Sequence, residues 1–122
     1  MRPERAGAHV EDAYAGCRRV LDVAGEYPAA VFEAQSIARA ALERHLITLG
    51  EALVRLRQDA PELLARLSYA SRAIGMRNVL VHRYDQVQDA ELERALRVGL
   101  PALDRELATL LEEVSTDPRY GA

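Results

Sequence analysis

Leucines recur in the middle of this chain at alternating steps of four and three residues, which is the spacing of one face of an α-helix. The members of this stripe are Leu42, Leu46, Leu49, Leu53 and Leu56. With the residues that lead into them, they predict a long helix over 30–58. Gly50 lies inside this helix, where it costs about 1 kcal/mol relative to alanine. It therefore indicates a tight crossing with another helix.

Two further apolar stripes predict long helices nearer the ends of the chain. The first predicts a helix over 8–26, and its members are Val10, Tyr14, Cys17, Leu21 and Ala24. The second follows a polar connection over 85–89, and its members are Leu92, Leu96, Leu100, Leu103, Leu107, Leu110 and Val114. Pro101 must kink or split this last helix because it lacks a backbone N–H. Residues 115–122 are expected to be a frayed tail.

Two shorter helices are predicted between these stripes. Asp59 can cap a short helix that begins near Pro61, and Ser71 can cap a helix over about 72–83. Together the elements form an all-α, up-and-down bundle of four main helices and one short helix. The length of 122 residues fits a single domain, 1–122. The narrow apolar seams could serve the core or a partner in a homodimer.

Composition narrows the classes to which this chain can belong. No apolar run approaches the roughly 20 residues that span a bilayer, and residues 1–12 contain no apolar signal-peptide core. We therefore expect a cytoplasmic protein with no membrane association. Cys17 is the only cysteine, so no internal disulfide can form. Its position on an apolar stripe predicts a buried structural thiol.

Charge is distributed unevenly along the chain. The net charge of −3 argues against a protein that coats nucleic acid generally. The window 63–84 contains no acidic residue and carries +4, which leaves −7 for the other 100 residues. Its charged residues are Arg66, Arg72, Arg77 and Arg83. Either these arginines form a confined anion site, or they pair with acidic residues of other helices.

The helix over 72–83 carries a polar stripe on a mostly apolar surface. In a helical projection, Gly75, Asn78 and His82 fall within a stripe about 60° wide. Apolar residues fill most of the remaining circumference: Ile74, Met76, Val79, Leu80 and Val81. We therefore expect a largely buried helix whose stripe faces another polar group. Asn78 and His82 are four residues apart and can interact directly, while Gly75 leaves room for a backbone or a ligand.

Arg77 lies on another edge of this helix, near Tyr84. A buried guanidinium is costly unless it meets a carboxylate or a phosphate, so Arg77 and His82 together indicate an anion site. Their spacing places them about 140° apart around the axis and about 7.5 Å apart along it. The two side chains therefore cannot easily contact one small ligand from the same face of the helix. A site on the flank of the helix could use both, as could a two-fold axis between two copies.

The segment 77–84 resembles the Arg-(any four)-His-any-Tyr motif of the HEPN superfamily, and more closely that of the HepT-like toxins. The defining positions are occupied by Arg77, Asn78, His82 and Tyr84. The segments 49–52, 73–78 and 100–103 are also similar to recurrent elements of that family. The resemblance covers about 40–114. It implies a HEPN-type bundle, a homodimer, and a metal-independent endoribonuclease that needs no cofactor.

The chemistry of RNA cleavage suits the residues of the motif. His82 is the expected general acid or base, because imidazole exchanges protons near neutral pH. Arg77 is the expected clamp for the transition state, since its planar fork matches phosphate oxygens. Asn78 and Gly75 are expected to support this pair. Attack by a ribose 2′-hydroxyl would restrict cleavage to RNA.

The resemblance also implies a partner. HepT-like toxins are paired with a small MntA-like nucleotidyltransferase antitoxin, in a type VII-like toxin–antitoxin pair, and the antitoxin can attach AMP to the motif tyrosine. Tyr84 is therefore the expected acceptor. Arg72 and Arg83 are expected to add positive charge for RNA binding. Arg83 departs from the family pattern, which often has glycine at that position.

Two other functions are compatible with parts of the pattern. A HEPN-like chain could bind a nucleotide, or support a nucleotidyltransferase, without cleaving RNA. Loss of RNA cleavage on replacement of the motif histidine would separate that function from a nuclease. A four-helix metalloenzyme would need Glu-x-x-His pairs, but the required positions hold Ala6, Leu42 and Val79. His9 and His45 are isolated in the sequence and are expected to be solvated or packed.

Overall fold

The computed structural model describes residues 1–82 and 86–122, and every long element in these ranges is helical. The helices are α1 (Ala6–Glu26), α2 (Ile37–Asp59), α3 (Pro61–Leu64), α4 (Ala70–Val81), α5 (Asp89–Arg94) and α6 (Leu100–Val114). A π-helical segment joins α5 to α6, so these two make one interrupted helix. The all-α fold with four main helices and one short one is confirmed. No helix in the described ranges is long and apolar enough to cross a membrane.

Helix α2 has α1 and α4 as its main neighbours, and α6 packs against α1. All five leucines of the α2 stripe are at most 1% exposed. The buried side chains of α6 include Leu100, Leu103, Leu107 and Leu110. The apolar seams therefore build the core of the chain itself. Truncating one of these leucines to alanine would cost about 2–5 kcal/mol.

Cys17 is buried where α1 meets the start of α6. Its thiol donates a hydrogen bond to the carbonyl oxygen of Leu100, with an S–O distance of 3.5 Å. Burial, helped by the nearby carboxylate of Asp104, raises the pKa of the Cys17 thiol to about 12. The thiol is therefore protonated at neutral pH and unreactive. The predicted buried structural role is confirmed.

Helix α2 begins at Ile37 and not near residue 30, as the stripe suggested. The hydroxyl of Ser36 accepts a hydrogen bond from the N–H of Arg39 at 2.9 Å, and donates to the carbonyl of Ala30 at 2.6 Å. This N-cap fixes the start of α2 and separates it from a 3₁₀ turn at Ala30–Phe32. The lead-in residues belong to that turn and its connection.

Both caps predicted around the short helix are wrong. Asp59 does not cap α3, because a hydrogen bond of 2.7 Å joins its carboxylate to Nε2 of His9 and another of 3.0 Å joins it to the N–H of Arg2. His9 is consequently not isolated in the fold. Helix α4 starts at Ala70, before Ser71, and has no side-chain cap. Contacts between segments distant in sequence determine the roles of Asp59 and His9.

Pro101 interrupts the last helix, as predicted. The residues before it, Ala95–Gly99, form the π-helical segment, in which the N–H of Leu100 donates to the carbonyl of Ala95. The wider turn accommodates the absence of a backbone N–H at Pro101. Gly99 lies in this segment against the ring of Tyr69, where a Cβ atom would collide with the ring. The interruption thus coincides with a close contact to the segment that leads into α4.

The expectation of a frayed C-terminal tail over 115–122 is wrong. Tyr120 is only 7% exposed, and its hydroxyl donates a hydrogen bond to Glu62 at 2.9 Å. The neighbouring Arg119 forms an ion pair with Asp117 at 2.7 Å. Burial of the aromatic ring outweighs the entropy lost by ordering the end of the chain.

Candidate active site

The candidate site lies where helices α2 and α4 cross at Gly50. A Cβ atom built on Gly50 would lie 2.6 Å from Cγ of Arg77 and 3.4 Å from the carbonyl oxygen of Ala73. Only glycine therefore allows α4 to approach this closely. The tight crossing predicted from Gly50 is confirmed, and the helix that crosses there is the one that carries the motif. Gly50 thereby fixes the position of the Arg77 side chain.

Arg77 lacks the partners that a half-buried guanidinium normally has. Its Nη1 donates a hydrogen bond to Oδ1 of Asn78 at 3.0 Å. Its Nε is fully buried, and no described residue accepts a hydrogen bond from it. No carboxylate among the residues of known placement forms an ion pair with Arg77. The guanidinium is therefore held in place but not neutralised within the described chain.

Arg39 provides an internal comparison for Arg77. It is 7% exposed, and all three of its guanidinium nitrogens have partners. Nε donates to Glu43 at 2.9 Å, Nη1 to the carbonyl of Val31 at 2.9 Å, and Nη2 to the carbonyl of Val87 at 3.3 Å. Arg39 thus ties α2 to the segments on either side of it. One buried arginine in this fold is satisfied by the chain, and Arg77 is not.

An open groove of about 410 Å³ lies beside Arg77, along α2. Besides Arg77, its lining consists of Glu51, Val54, Arg55 and Gln58. Helices α2 and α4 are antiparallel, because Arg77 lies against Gly50 while Val87, further along the chain, reaches back to Arg39. Side chains tilt toward the N-terminus of their own helix, which directs Arg77 toward the C-terminal half of α2.

His82 lies just beyond the C-terminal end of α4, five residues after Arg77. The helix ends at Val81, two residues earlier than predicted, and His82 has an extended backbone with φ −92° and ψ 97°. Its N–H still donates to the carbonyl of Asn78 at 3.1 Å, and its side chain is exposed. Among the described residues, the side chain of Asn78 accepts a hydrogen bond from Arg77 and forms none with His82, so the expected contact between Asn78 and His82 is not made.

The motif helix is less buried than its apolar composition suggested. Its buried residues are Ala70, Ala73, Ile74 and Met76. Val81 is 40% exposed, and Gly75 and Asn78 are also exposed. Helix α4 packs mainly against α2, so only one side of it is covered by the described chain. The expectation of a largely buried helix is wrong for this single chain.

Residues 13–110 match the family model described as Ribonuclease HepT-like. The chain belongs to this family. No curated protein and no solved structure matches it. The match includes Gly50 and the whole of α4, and membership supports a HEPN-type bundle. It also suggests ribonuclease activity, with RNA as the substrate, as the general function of the chain.

The other arginines of the HepT-like motif region have different surroundings. Arg66 forms an ion pair with Glu113 at 2.7 Å, so the predicted pairing with another helix is correct for this residue. Arg72 is exposed on the first turn of α4. Arg83 and Tyr84, predicted to bind RNA and to accept AMP, lie outside the described residues. Arg72 and Arg77 are the described members of the basic window that keep their charge available.

The other histidines do not join this HepT-like site. His9 pairs with Asp59 at the far end of α2. His45 is partly buried on α2, and desolvation lowers its pKa, with help from Arg19 and Arg44. No three His, Cys, Asp or Glu side chains cluster around a possible metal position in the ranges 1–82 and 86–122.

Inspection of the sequence missed Arg39 and the groove along α2. Arg39 extends the stripe of Leu42, Leu46 and Leu49 by one step, and a charge in such a stripe signals a buried, paired residue. Glu51 and Arg55 are four residues apart, which is a common pairing on one helix face. Nothing in the sequence indicates that this face borders Arg77.

Proposed function

We propose that this chain is the toxin of a toxin–antitoxin pair and a metal-independent endoribonuclease. The observation that carries the proposal is the state of Arg77, whose guanidinium is fixed at a helix crossing without a neutralising carboxylate among the described residues. In a family of ribonucleases, the phosphate of an RNA chain is the natural counter-ion for such a group. His82 is exposed at the end of the same helix and supplies a proton-transfer group.

In the proposed reaction, a ribose 2′-oxygen attacks the adjacent phosphorus, and the bond from phosphorus to the 5′-oxygen breaks. His82 takes the 2′ proton or gives a proton to the departing 5′-oxygen, and water exchanges the other proton. Arg77 stabilises the negative charge that grows on the phosphate oxygens. We assign Asn78 to positioning Arg77, through the hydrogen bond of 3.0 Å between them. The products are a 2′,3′-cyclic phosphate and a free 5′-hydroxyl.

Cleavage of single-stranded RNA by the purified protein in the presence of EDTA is the direct test. We expect fragments that end in a 2′,3′-cyclic phosphate, because the nucleophile belongs to the substrate. DNA of the same sequence should remain intact, since it lacks the 2′-hydroxyl. Intact RNA, together with a stable complex with a nucleotidyltransferase, would show that the non-catalytic function is correct.

We further propose that two copies of the chain share the site in a homodimer. Arg77 is directed toward the C-terminal half of α2, while His82 follows the last residue of α4, so the two groups of one chain are separated along the helix. The uncovered side of α4 presents Gly75 and Val81. A second copy packed on this side about a two-fold axis would bury both and bring arginine from one copy near histidine from the other.

Replacing Gly75 with arginine is expected to convert the dimer into a monomer. No described atom lies within 4 Å of a Cβ built on Gly75. The new side chain therefore fits the isolated chain and improves helix propensity, but it would collide with a partner. Sedimentation velocity measures the change, and circular dichroism checks that the helices persist. Gly25→Arg is the matched control, since Gly25 is also open, and this variant should stay dimeric. A dimeric Gly75→Arg would contradict the proposed interface.

The proposed partner is a nucleotidyltransferase antitoxin in the cytoplasm, and the proposed modification is AMP on Tyr84. Both rest on the motif resemblance. An AMP group would add negative charge and bulk beside the anion site and so prevent RNA from binding. Co-expression with the neighbouring reading frame, followed by intact mass measurement, should show an increase equal to one or more AMP groups, absent in Tyr84→Phe. An unchanged mass in the presence of an active transferase would contradict the modification.

A further inference from the structure

The groove beside Arg77 has a polar wall that belongs to one face of α2. Glu51, Arg55 and Gln58 follow one another at steps of four and three residues, so their side chains lie along a single line about 10 Å long. Val54 is partly buried between them and contributes the apolar part of the lining. The groove therefore continues from Arg77 along α2, in the direction away from His82.

The charges of this groove favour an anion. Arg55 and Glu51 lie 3.8 Å apart, and their side chains are 55% and 39% exposed. Such an exposed pair is weak and is readily broken by a better partner for the arginine. With Arg77 included, two guanidinium groups line the groove and one carboxylate offsets them. Gln58 adds an amide that can both donate and accept hydrogen bonds.

We propose that this groove binds the sugar–phosphate backbone of RNA next to the scissile phosphate, with Arg55 and Gln58 as its binding residues and Glu51 as a residue that limits affinity. The inference rests on the proposed ribonuclease function and extends it to residues outside the motif. The hydrogen-bond donors of the groove form a line that begins at Arg77 and continues along α2 through Arg55 and Gln58. The regularly spaced phosphates of an RNA strand match such a line in an open channel. Arg55 and Gln58 position substrate and take no part in bond breaking.

The proposal separates residues that bind from residues that react. Arg55→Ala should weaken RNA binding about tenfold, as expected for loss of an arginine–phosphate contact. It should also reduce the slope of log affinity against log salt by about 0.7, the value for one phosphate contact on a single strand. Gln58→Ala should weaken binding about threefold, since it removes a neutral hydrogen bond. Glu51→Gln should strengthen binding, because it removes the opposing charge.

The binding experiment uses the 122-residue protein and a fluorescein-labelled, single-stranded RNA with 2′-O-methyl sugars, which cannot be cleaved. Arg57→Ala is the matched control, because Arg57 is an exposed arginine of the same helix that does not line the groove. Thermal unfolding of each variant confirms that its fold is retained. Opposite effects of Arg55→Ala and Glu51→Gln, with Arg57→Ala unchanged, would support the groove. Equal affinities for all three variants would overturn it.

Kinetics with cleavable RNA distinguish this inference from the function on which it rests. Arg55→Ala should raise KM and leave kcat within about twofold, because Arg55 holds the RNA backbone beside the scissile phosphate and does not contact the reacting atoms. If the wild-type protein cleaves RNA and the groove variants behave like it, only the proposed role of the groove is overturned. A wild-type protein that neither binds nor cleaves RNA overturns the ribonuclease proposal, and the groove with it.

Discussion

His82→Ala is expected to lower the rate of RNA cleavage by about 10²–10⁴, the contribution of a general acid–base group. Arg77→Met should lower it by about 10²–10³, as when one donor to a developing oxyanion is lost. Methionine keeps an apolar stem against Gly50, so this variant removes the charge with little loss of packing. Rates of RNA cleavage in EDTA, at saturating and at low RNA concentration, give both effects.

A stability measurement and a second arginine variant provide the controls for His82→Ala and Arg77→Met. His82 is exposed, so its replacement should change the free energy of unfolding by less than about 0.5 kcal/mol. Arg105→Ala removes an equally charged, exposed residue from α6 and should cleave RNA at the wild-type rate. Full activity in His82→Ala would show that another group transfers the proton. Equal losses in Arg105→Ala would show that general charge, and not the position of Arg77, determines the rate.

Mixing the two inactive variants tests whether the site is shared between copies. If arginine from one copy works with histidine from the other, a mixed dimer of Arg77→Met and His82→Ala contains one intact site and one doubly impaired site. Random exchange makes about half of the dimers mixed, so activity should recover to about a quarter of the wild-type value. Activity that stays at the level of the separate variants would place both residues of a site in one chain.

Arg39→Ala is expected to cause the second large effect, a loss of about 2–4 kcal/mol in the free energy of unfolding. The carbonyls of Val31 and Val87 would lose their donors, and an unsatisfied buried acceptor costs about 1–3 kcal/mol. Arg39→Lys should recover only part of this stability, because an ammonium cannot reach three acceptors as the planar guanidinium does. Denaturant titration monitored by circular dichroism measures the change.

The position of the loss distinguishes an anchoring role from general destabilisation. Amide hydrogen exchange in Arg39→Ala should accelerate most in the segments 30–33 and 86–89, which the guanidinium holds against α2. Arg44→Ala is the matched control: Arg44 is exposed on the same helix, and its replacement should change stability by less than about 0.5 kcal/mol. Uniform acceleration across all helices would contradict a local anchor.

The sequence by itself determined the helical class, the core of α2 and α6, and the location of the motif. These features depend on residues three or four positions apart, and such spacings are visible without a fold. Gly50 also belongs to this group, because a glycine inside a long apolar stripe is destabilising unless a close neighbour requires it. The same reasoning correctly placed Cys17 in the core and the interruption of the last helix at Pro101.

Tertiary structure alone decided which polar groups are satisfied. Arg39, Arg66 and Arg77 are equally charged in the sequence. The fold gives Arg39 the backbone carbonyls of Val31 and Val87, gives Arg66 a carboxylate on α6, and leaves Arg77 beside an open groove. The docking of Tyr120 was likewise hidden, because its partner Glu62 lies 58 residues away. Whether a charge is paired or available depends on groups that chain folding brings together, and local periodicity carries no information about them.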